Sequence, residues 1–195
     1  MKGNLTKQRI ISKGLALFNR YGIKGTSLSD LMAATQLEKG GIYRHFSSKE
    51  EILDGSIRYY ISLIEERLAK VTDGVAHPRD RIIRIIESFI QIAENPVVPG
   101  GCFIMNLAVD SDFDDSGTHP LVLLSFKRWE RLFVSEIQNG IKKGIFREDI
   151  NVKDFAALAI CSIEGSIVLA GVYPKMSSSR VVLNHLTSVV DSFLL

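Results

Sequence analysis

Along almost the whole chain, apolar residues recur three or four positions apart, and no run alternates apolar with polar residues long enough to make a strand. A chain patterned this way builds its core by packing helix on helix, so the expected class is all-α, with about nine helices. The chain has 195 residues, which suits one domain or a small domain joined to a larger one. Its apolar fraction of 46% is enough for a sizeable core and excludes a disordered or low-complexity chain.

Stop and start signals divide the pattern. Ile11, Leu15 and Phe18 form one stripe, which ends at Tyr21-Gly22, where glycine supplies the stop. Ser27-Leu-Ser-Asp30 has the form of a capping box and opens a short helix with Leu28, Leu31 and Met32. A turn around Gln36 leads to a second short helix with Ile42, Tyr43 and Phe46. Ser48-Lys-Glu-Glu51 repeats the box and opens a long helix carrying Leu53, Ile57, Tyr60, Ile64, Leu68 and Val71. Thr72–Pro78, punctuated by Gly and Pro, is the best linker candidate.

Beyond it, Ile82, Ile86, Phe89 and Ala93 form a stripe that stops at Asn95-Pro96. Gly100-Gly101 precedes a short apolar helix from Cys102 to Ala108. The segment from Asp110 to His119 reads as an acidic loop, and Pro120 starts a long helix with Phe126, Trp129, Phe133, Ile137 and Ile141. An apolar helix at 153–172 and a last one with Val182, Leu186, Val189 and Phe193 complete the chain.

Charge is distributed unevenly. Residues 1–50 hold nine Lys/Arg and three Asp/Glu, a balance of +6 inside a chain whose net charge is +2. A basic first quarter on a mildly acidic body points to a polyanion met by the first part alone. Cys102 and Cys161 lie far apart with no CxxC spacing, and the N-terminus is polar, so neither a disulfide framework nor a zinc site is indicated and a reducing cytoplasm is expected. The stretch Phe155–Val172 is long and apolar enough for a membrane span. Glu164 near its centre and its many small residues favour a helix buried on most sides instead, partly by another subunit, so no membrane partner is expected.

Two short helices joined by a tight turn at 27–46, inside the basic segment, have the dimensions of a helix-turn-helix, although an ordinary helical hairpin has the same outline. Lys39-Gly-Gly-Ile-Tyr-Arg-His-Phe46, followed by Ser48-Lys-Glu-Glu-Ile-Leu53, adds detail that a hairpin does not need. From about Thr6 to Leu53 the chain resembles the TetR family of bacterial transcriptional repressors, with Thr26, Ser27, Asp30, Lys39, Gly40, Tyr43, His45, Phe46, Ser48, Lys49 and Glu50 in register. The resemblance implies an N-terminal three-helix DNA-binding domain at 1–50. A helix at 49–71 would connect it to a ligand-binding and dimerisation domain at 51–195.

The residue types agree with that role. Gly40 and Gly41 leave room for a closely approaching DNA backbone. Lys39, Tyr43, His45 and Lys49 offer donors for phosphate oxygens, and Thr26 and Ser27 add hydroxyls and amides at a helix start. Arg44 is the candidate for reading a base edge, because a guanidinium can bond guanine bidentately. Leu31, Leu37, Ile42 and Phe46 are read as core. Three positions depart from the family pattern. Glu38 stands where Ser is usual, Gln36 stands where Gly is expected in the turn, and Gly41 stands where Thr or Ser often makes a contact. A left-handed Gln36 would cost about 1 kcal/mol, and each glycine inside a helix roughly 0.8 to 1 kcal/mol against alanine.

The C-terminal part carries no P-loop, GxSxG or HExxH signature, and no cofactor is expected. Asp110-Ser-Asp-Phe-Asp-Asp115 has some calcium-loop spacing, but Asp115 sits where Gly is needed and Leu121 where the bidentate Glu belongs, so no metal is expected. By resemblance this part binds a small-molecule inducer and pairs two copies into a homodimer through the helices at 155–172 and 179–194, where Ala156, Ala159, Ser162, Gly165 and Ser166 permit close approach. Burial of both helices within one subunit is the alternative.

Candidate ligand contacts are Phe89, Cys102, Phe103, Met105, Asn106, Trp129, Phe133 and Glu164. Cys102, at a helix start, would have a lowered thiol pKa if exposed and would be inert if buried. The expected function is a regulator that binds a palindromic double-stranded operator and is released by an inducer. Its rivals are an enzyme using Cys102 with His119 or His185, and a helical adaptor whose head has lost DNA affinity.

Overall fold

A computed structural model describes residues 2–92, 95–110, 119–173 and 175–195. Ala93 and the stretch 111–118, which holds most of the calcium-like segment, lie outside the described residues. Among the described residues there are nine helices: α1 (Lys2–Gly25), α2 (Leu28–Thr35), α3 (Lys39–Tyr43), α4 (Lys49–Thr72), α5 (Pro78–Ile90), α6 (Phe103–Asp110), α7 (Pro120–Lys142), α8 (Val152–Val172) and α9 (Ser178–Asp191). The only bridge pairing among them joins Phe146 to Leu194. The all-α expectation holds.

By packing, the chain divides into two compact units, residues 1–64 with 97–123, and residues 65–96 with 124–195. The boundary expected at residue 50 separates a reading head from a body by role, and the packing boundary is drawn elsewhere. Helices α4 and α7 each supply residues to both units. The stretch Thr72–Pro78 is therefore a turn within the second unit, between α4 and α5.

In the first unit, α1 buries Ile10, Leu15 and Phe18 and continues to Gly25 through a break at Gly22, where φ is 74° and ψ 174°. That break is the stop expected at glycine, because few side chains tolerate such a φ. It turns the Ile23 amide toward Asp110, whose Oδ2 accepts it at 2.7 Å. Asp110, expected at the start of a loop, is the last residue of α6. Helix α6 packs on α1. Asn19 donates to the Pro99 carbonyl at 2.9 Å, and Asn106 donates both to Asn19 Oδ1 and to the Gly100 carbonyl, each at 2.8 Å. These bonds satisfy polar groups that α6 would otherwise bury unpaired against α1.

In the second unit, α5, α8 and α9 pack on one another. A ladder of rings joins their cores: Trp129 to Phe89 at 5.4 Å, Phe89 to Phe133 at 6.4 Å, Phe133 to Phe155 at 6.2 Å, Phe155 to Phe193 at 5.1 Å and Phe193 to Phe146 at 6.1 Å. Most of these pairs meet edge to face, the geometry that ring quadrupoles favour. Arg81 grips Glu136 with Nε and Nη2 and caps the end of α4 by donating to the Thr72 and Val75 carbonyls. Helix α9 ends at Asp191, so its buried stripe is Leu186 and Val190, and Phe193 follows the helix instead of closing it.

Helix α8 is long and apolar enough to cross a membrane, and a test of that kind is also passed by core helices of globular proteins. One side of it buries Phe155, Ala156, Ala159, Ile163, Glu164, Ser166 and Ile167. The other side leaves Leu158, Cys161, Gly165, Val168, Leu169 and Val172 exposed.

Candidate nucleic-acid interface

Local chemistry builds the candidate reading element, which runs through α2 and α3. Ser27 caps α2 as expected. Its Oγ accepts the Asp30 amide at 3.2 Å, and Asp30 Oδ2 accepts both the Ser27 amide at 2.8 Å and the Ser27 hydroxyl at 2.6 Å. Those two donors hold the Asp30 carboxyl below the usual carboxylate range. Helix α2 ends at Gln36, whose backbone is left-handed (φ 54°, ψ 39°), the conformation in which a glycine would be free of strain. The chain then passes Leu37 and Glu38 into α3. Glu38 occupies the N-cap but makes no side-chain cap bond, so α3 starts without the support that a serine would lend.

Ile42 (0% exposed) and Phe46 (3%) anchor α3 from below, together with Leu31 from α2. The opposite side is open. Tyr43 is 45% exposed, and Lys39, Gly40 and Arg44 are also exposed. The Lys39 ammonium lies 5.8 Å from the Tyr43 ring centroid. A Cβ built on Gly40 would meet no atom within 4 Å, so packing inside the protein does not require glycine there. Gly41 differs, because a Cβ on it would touch Leu37 at 3.4 Å. His45 is half-buried, near Gly3 of α1. Among the described residues, the Arg44 guanidinium has no hydrogen-bond or ion-pair partner.

Three of the residues proposed from sequence as phosphate donors are engaged inside the protein. Thr26 is fully buried, and its hydroxyl donates to the Gly22 carbonyl at 2.8 Å. The Ser27 hydroxyl is held in the capping box. The Lys49 ammonium donates to the carbonyls of Ile23 at 2.9 Å and Thr26 at 3.1 Å, tying the start of α4 to the end of α1. Lys49 also follows Ser48, whose Oγ accepts the Glu51 amide, while the Glu51 carboxylate reaches back one residue further, to Ser47.

One cation escaped the motif reading. Lys7 of α1 lies 5.2 Å over the Phe46 ring, beside the end of α3. Only the excess of positive charge in the first quarter pointed to it. Lys39, Tyr43, Arg44 and Lys7 therefore form a cationic, hydrogen-bond-donating surface on and beside a helix small enough to enter a major groove.

The residues proposed as ligand contacts divide between the two units. Phe89, Trp129, Phe133 and Glu164 line one cleft of the second unit, together with Ile160 and Ile163. Sequence reasoning missed these two isoleucines, although they sit on the helical face that Glu164 defines. Cys102, Phe103, Met105 and Asn106 belong to the first unit. There Phe103 stacks edge-on against Tyr60 at 5.5 Å, and Asn106 is committed to Asn19 and Gly100. Cys102 is 3% exposed, with Sγ 4.0 Å from the Tyr60 hydroxyl, so it is the buried thiol of the two readings. Of the two histidines considered as its base, His119 pairs with Asp54 at 3.0 Å and His185 lies exposed on α9 of the second unit.

Residues 10–55 match the family model described as "Bacterial regulatory proteins, tetR family", and residues 78–186 match "Tetracyclin repressor-like, C-terminal domain". The chain is similar to the HTH-type transcriptional repressor DhaR of Mycobacterium sp. (strain GP1), with 24% identity over 97% of this chain and 92% of that protein. It is also similar in structure to a TetR transcriptional regulator from Chloroflexus aurantiacus, with a TM-score of 0.91, 35% identity, and coverage of 99% of this chain and 98% of the other. A TetR-family transcriptional regulator from Cytophaga hutchinsonii gives a TM-score of 0.89 and 26% identity, covering 100% of this chain and 98% of the other.

Proposed function

Because the chain belongs to the TetR family of bacterial regulatory proteins, we propose that it is a cytoplasmic repressor that binds a palindromic DNA operator as a homodimer and releases it when a small-molecule inducer enters the C-terminal part. The proteins it resembles are transcriptional regulators, and no catalytic step is assigned to it. The observation that carries the reading is the exposed side of α3, where Lys39, Tyr43 and Arg44 stand out from a helix anchored by Ile42 and Phe46. Lys39, Tyr43 and Lys7 supply phosphate contacts, Gly40 admits the DNA backbone, and Arg44 reads a base edge. Gly41 and His45 flank this surface. Thr26, Ser27 and Lys49 support it through their bonds within the protein, with the third Lys49 proton left for phosphate.

The exposed side of α8 supports the homodimer. Leu158, Val168, Leu169 and Val172 are large apolar residues open to solvent in one chain, and Gly165 and Cys161 between them allow helices to approach closely. Two copies joined there present two reading heads, for half-sites one helical turn or a small multiple apart. In this reading residues 1–50 are the reading head and residues 51–195 the effector and dimer part. Release is a population shift, in which the inducer prefers the arrangement whose heads do not match successive major grooves. Helix α4 carries the change between the two parts, and the Asn19, Asn106 and Asp110 bonds make α6 and α1 move together.

Selection of bound duplexes from a random pool, followed by affinity measurement in rising salt, tests the reading. A palindromic duplex should be retained, with affinity falling steeply between about 50 and 200 mM salt as phosphate contacts release counterions. Retention of no duplex, or affinity flat across that range, would contradict it.

A further inference from the structure

We propose that the inducer is a lipophilic organic cation, bound among Phe89, Trp129, Phe133, Ile160, Ile163 and Glu164 with its ammonium against the Glu164 carboxylate and its hydrocarbon between the rings; this rests on the regulator reading above. Glu164 is 3% exposed in the middle of α8, with Ile163 and Ile167 buried beside it. An acid there places a carboxyl group among aromatic and aliphatic side chains, a combination that a leucine would not provide. Its neighbours in the cleft come from three helices: Phe89 from α5, Trp129 and Phe133 from α7, and Ile160 and Ile163 from α8. The rings of Phe89 and Trp129 meet edge to face at 5.4 Å, and those of Phe89 and Phe133 are 6.4 Å apart.

This combination ranks ligands by charge. An ammonium is attracted both by the carboxylate and by aromatic faces. A neutral hydrocarbon gains the ring contacts but no attraction from the carboxylate. An anion is opposed by both. The cleft as it stands has room for about one water molecule. A ligand of useful size must therefore part α5, α7 and α8, and this wedge supplies the different affinity for two conformations that induction requires.

Trp129 is the only tryptophan in the chain, so its fluorescence reports the site directly. The test is a titration of the full-length protein with benzyltrimethylammonium, with its uncharged carbon isostere neopentylbenzene, and with phenylacetate. Saturable binding of the cation is expected, at least about tenfold tighter than the isostere, with no binding of the anion. In Glu164→Gln the tenfold preference should vanish while the affinity for the isostere stays within about threefold. Equal binding of cation and isostere to the wild type would overturn the proposal, as would undiminished cation binding to Glu164→Gln.

Should Glu164→Gln not fold, Ile160→Phe, which fills the cleft and keeps Trp129 as the single tryptophan, is the second variant. Loss of cation binding is expected, and retention would overturn the assignment. Adding the cation to the protein on its selected duplex separates the two readings. Cation binding at Trp129 without release of DNA overturns the inducer class and leaves the regulator reading intact. A protein that binds the cation but no duplex leaves the ligand site standing and overturns the regulator reading.

Discussion

Replacing Gly40 with alanine should move stability and DNA binding in opposite directions. Gly40 is the second residue of α3, a five-residue helix without a side-chain cap. A Cβ there meets no atom within 4 Å, and the residue is not among those with positive φ, so alanine enters without a clash or backbone strain. It restores the helix propensity that glycine lacks, up to about 1 kcal/mol. For a chain of this size that raises Tm by roughly 2–4 °C. The same methyl group occupies the surface against which the sugar-phosphate backbone is proposed to lie. If overpacking of that contact costs about 1–3 kcal/mol, as in a tight core, Kd rises roughly 5- to 150-fold. Thermal denaturation followed by circular dichroism, with fluorescence anisotropy on the selected duplex, measures both effects on one preparation. A raised Tm with Kd within about twofold of wild type would show that α3 does not face DNA at Gly40. A lowered Tm would show that the space around Gly40 is not open.

Three other perturbations bear on separate parts of the structure. Lys49→Met removes a charged donor from the carbonyls of Ile23 and Thr26, so a loss of about 2 kcal/mol is expected in urea denaturation, against less than about 0.5 kcal/mol for Arg44→Ala; equal losses would refute the internal role of Lys49. Val168→Glu places a charge on a residue that is 52% exposed in one chain; a folded monomer by light scattering is expected, with Cys161 alkylating faster than in the wild type, and an unchanged dimer mass would remove α8 from the interface. Acidification should destabilise the fold, because hydrogen bonds from Ser27 hold Asp30, those from Ser47 hold Glu51, and the Arg79 guanidinium holds Asp191 below the ordinary carboxylate range. Groups depressed in this way contribute stability at pH values above that range and lose it as pH falls through their folded pKa values. Tm should therefore drop below about pH 4 and be steady above it, and a Tm indifferent to pH from about 5 to 3 would contradict this.

What could be read from sequence was what a few neighbouring residues decide. The Ser27–Asp30 box, the left-handed Gln36, and Pro120 at the start of α7 each depend on partners within four positions, and each is present. The anchors of α3 were also legible, because Ile42 and Phe46 follow helical spacing. Lys49 looked like a phosphate donor because its charge is visible in sequence, whereas its acceptors, Ile23 and Thr26, lie more than twenty residues away. Asn106 looked like a pocket lining residue and instead bonds Asn19, 87 residues distant. The effector candidates were chosen as large apolar or isolated polar residues, a criterion that any helical core satisfies. Tertiary packing then gathered Phe89, Trp129, Phe133 and Glu164 around one cleft and left the other four in the first unit.

Protection of guanine N7 from dimethyl sulfate, on a duplex selected by the protein, tests most directly whether α3 lies in the major groove. N7 faces that groove, and its methylation is blocked by a side chain bonded there. Two protected clusters are expected, related by the palindrome and centred about 10 bp or a small multiple apart, with Arg44→Ala losing protection in both. A single cluster, protection confined to adenine N3 in the minor groove, or a pattern that Arg44→Ala leaves intact would contradict it.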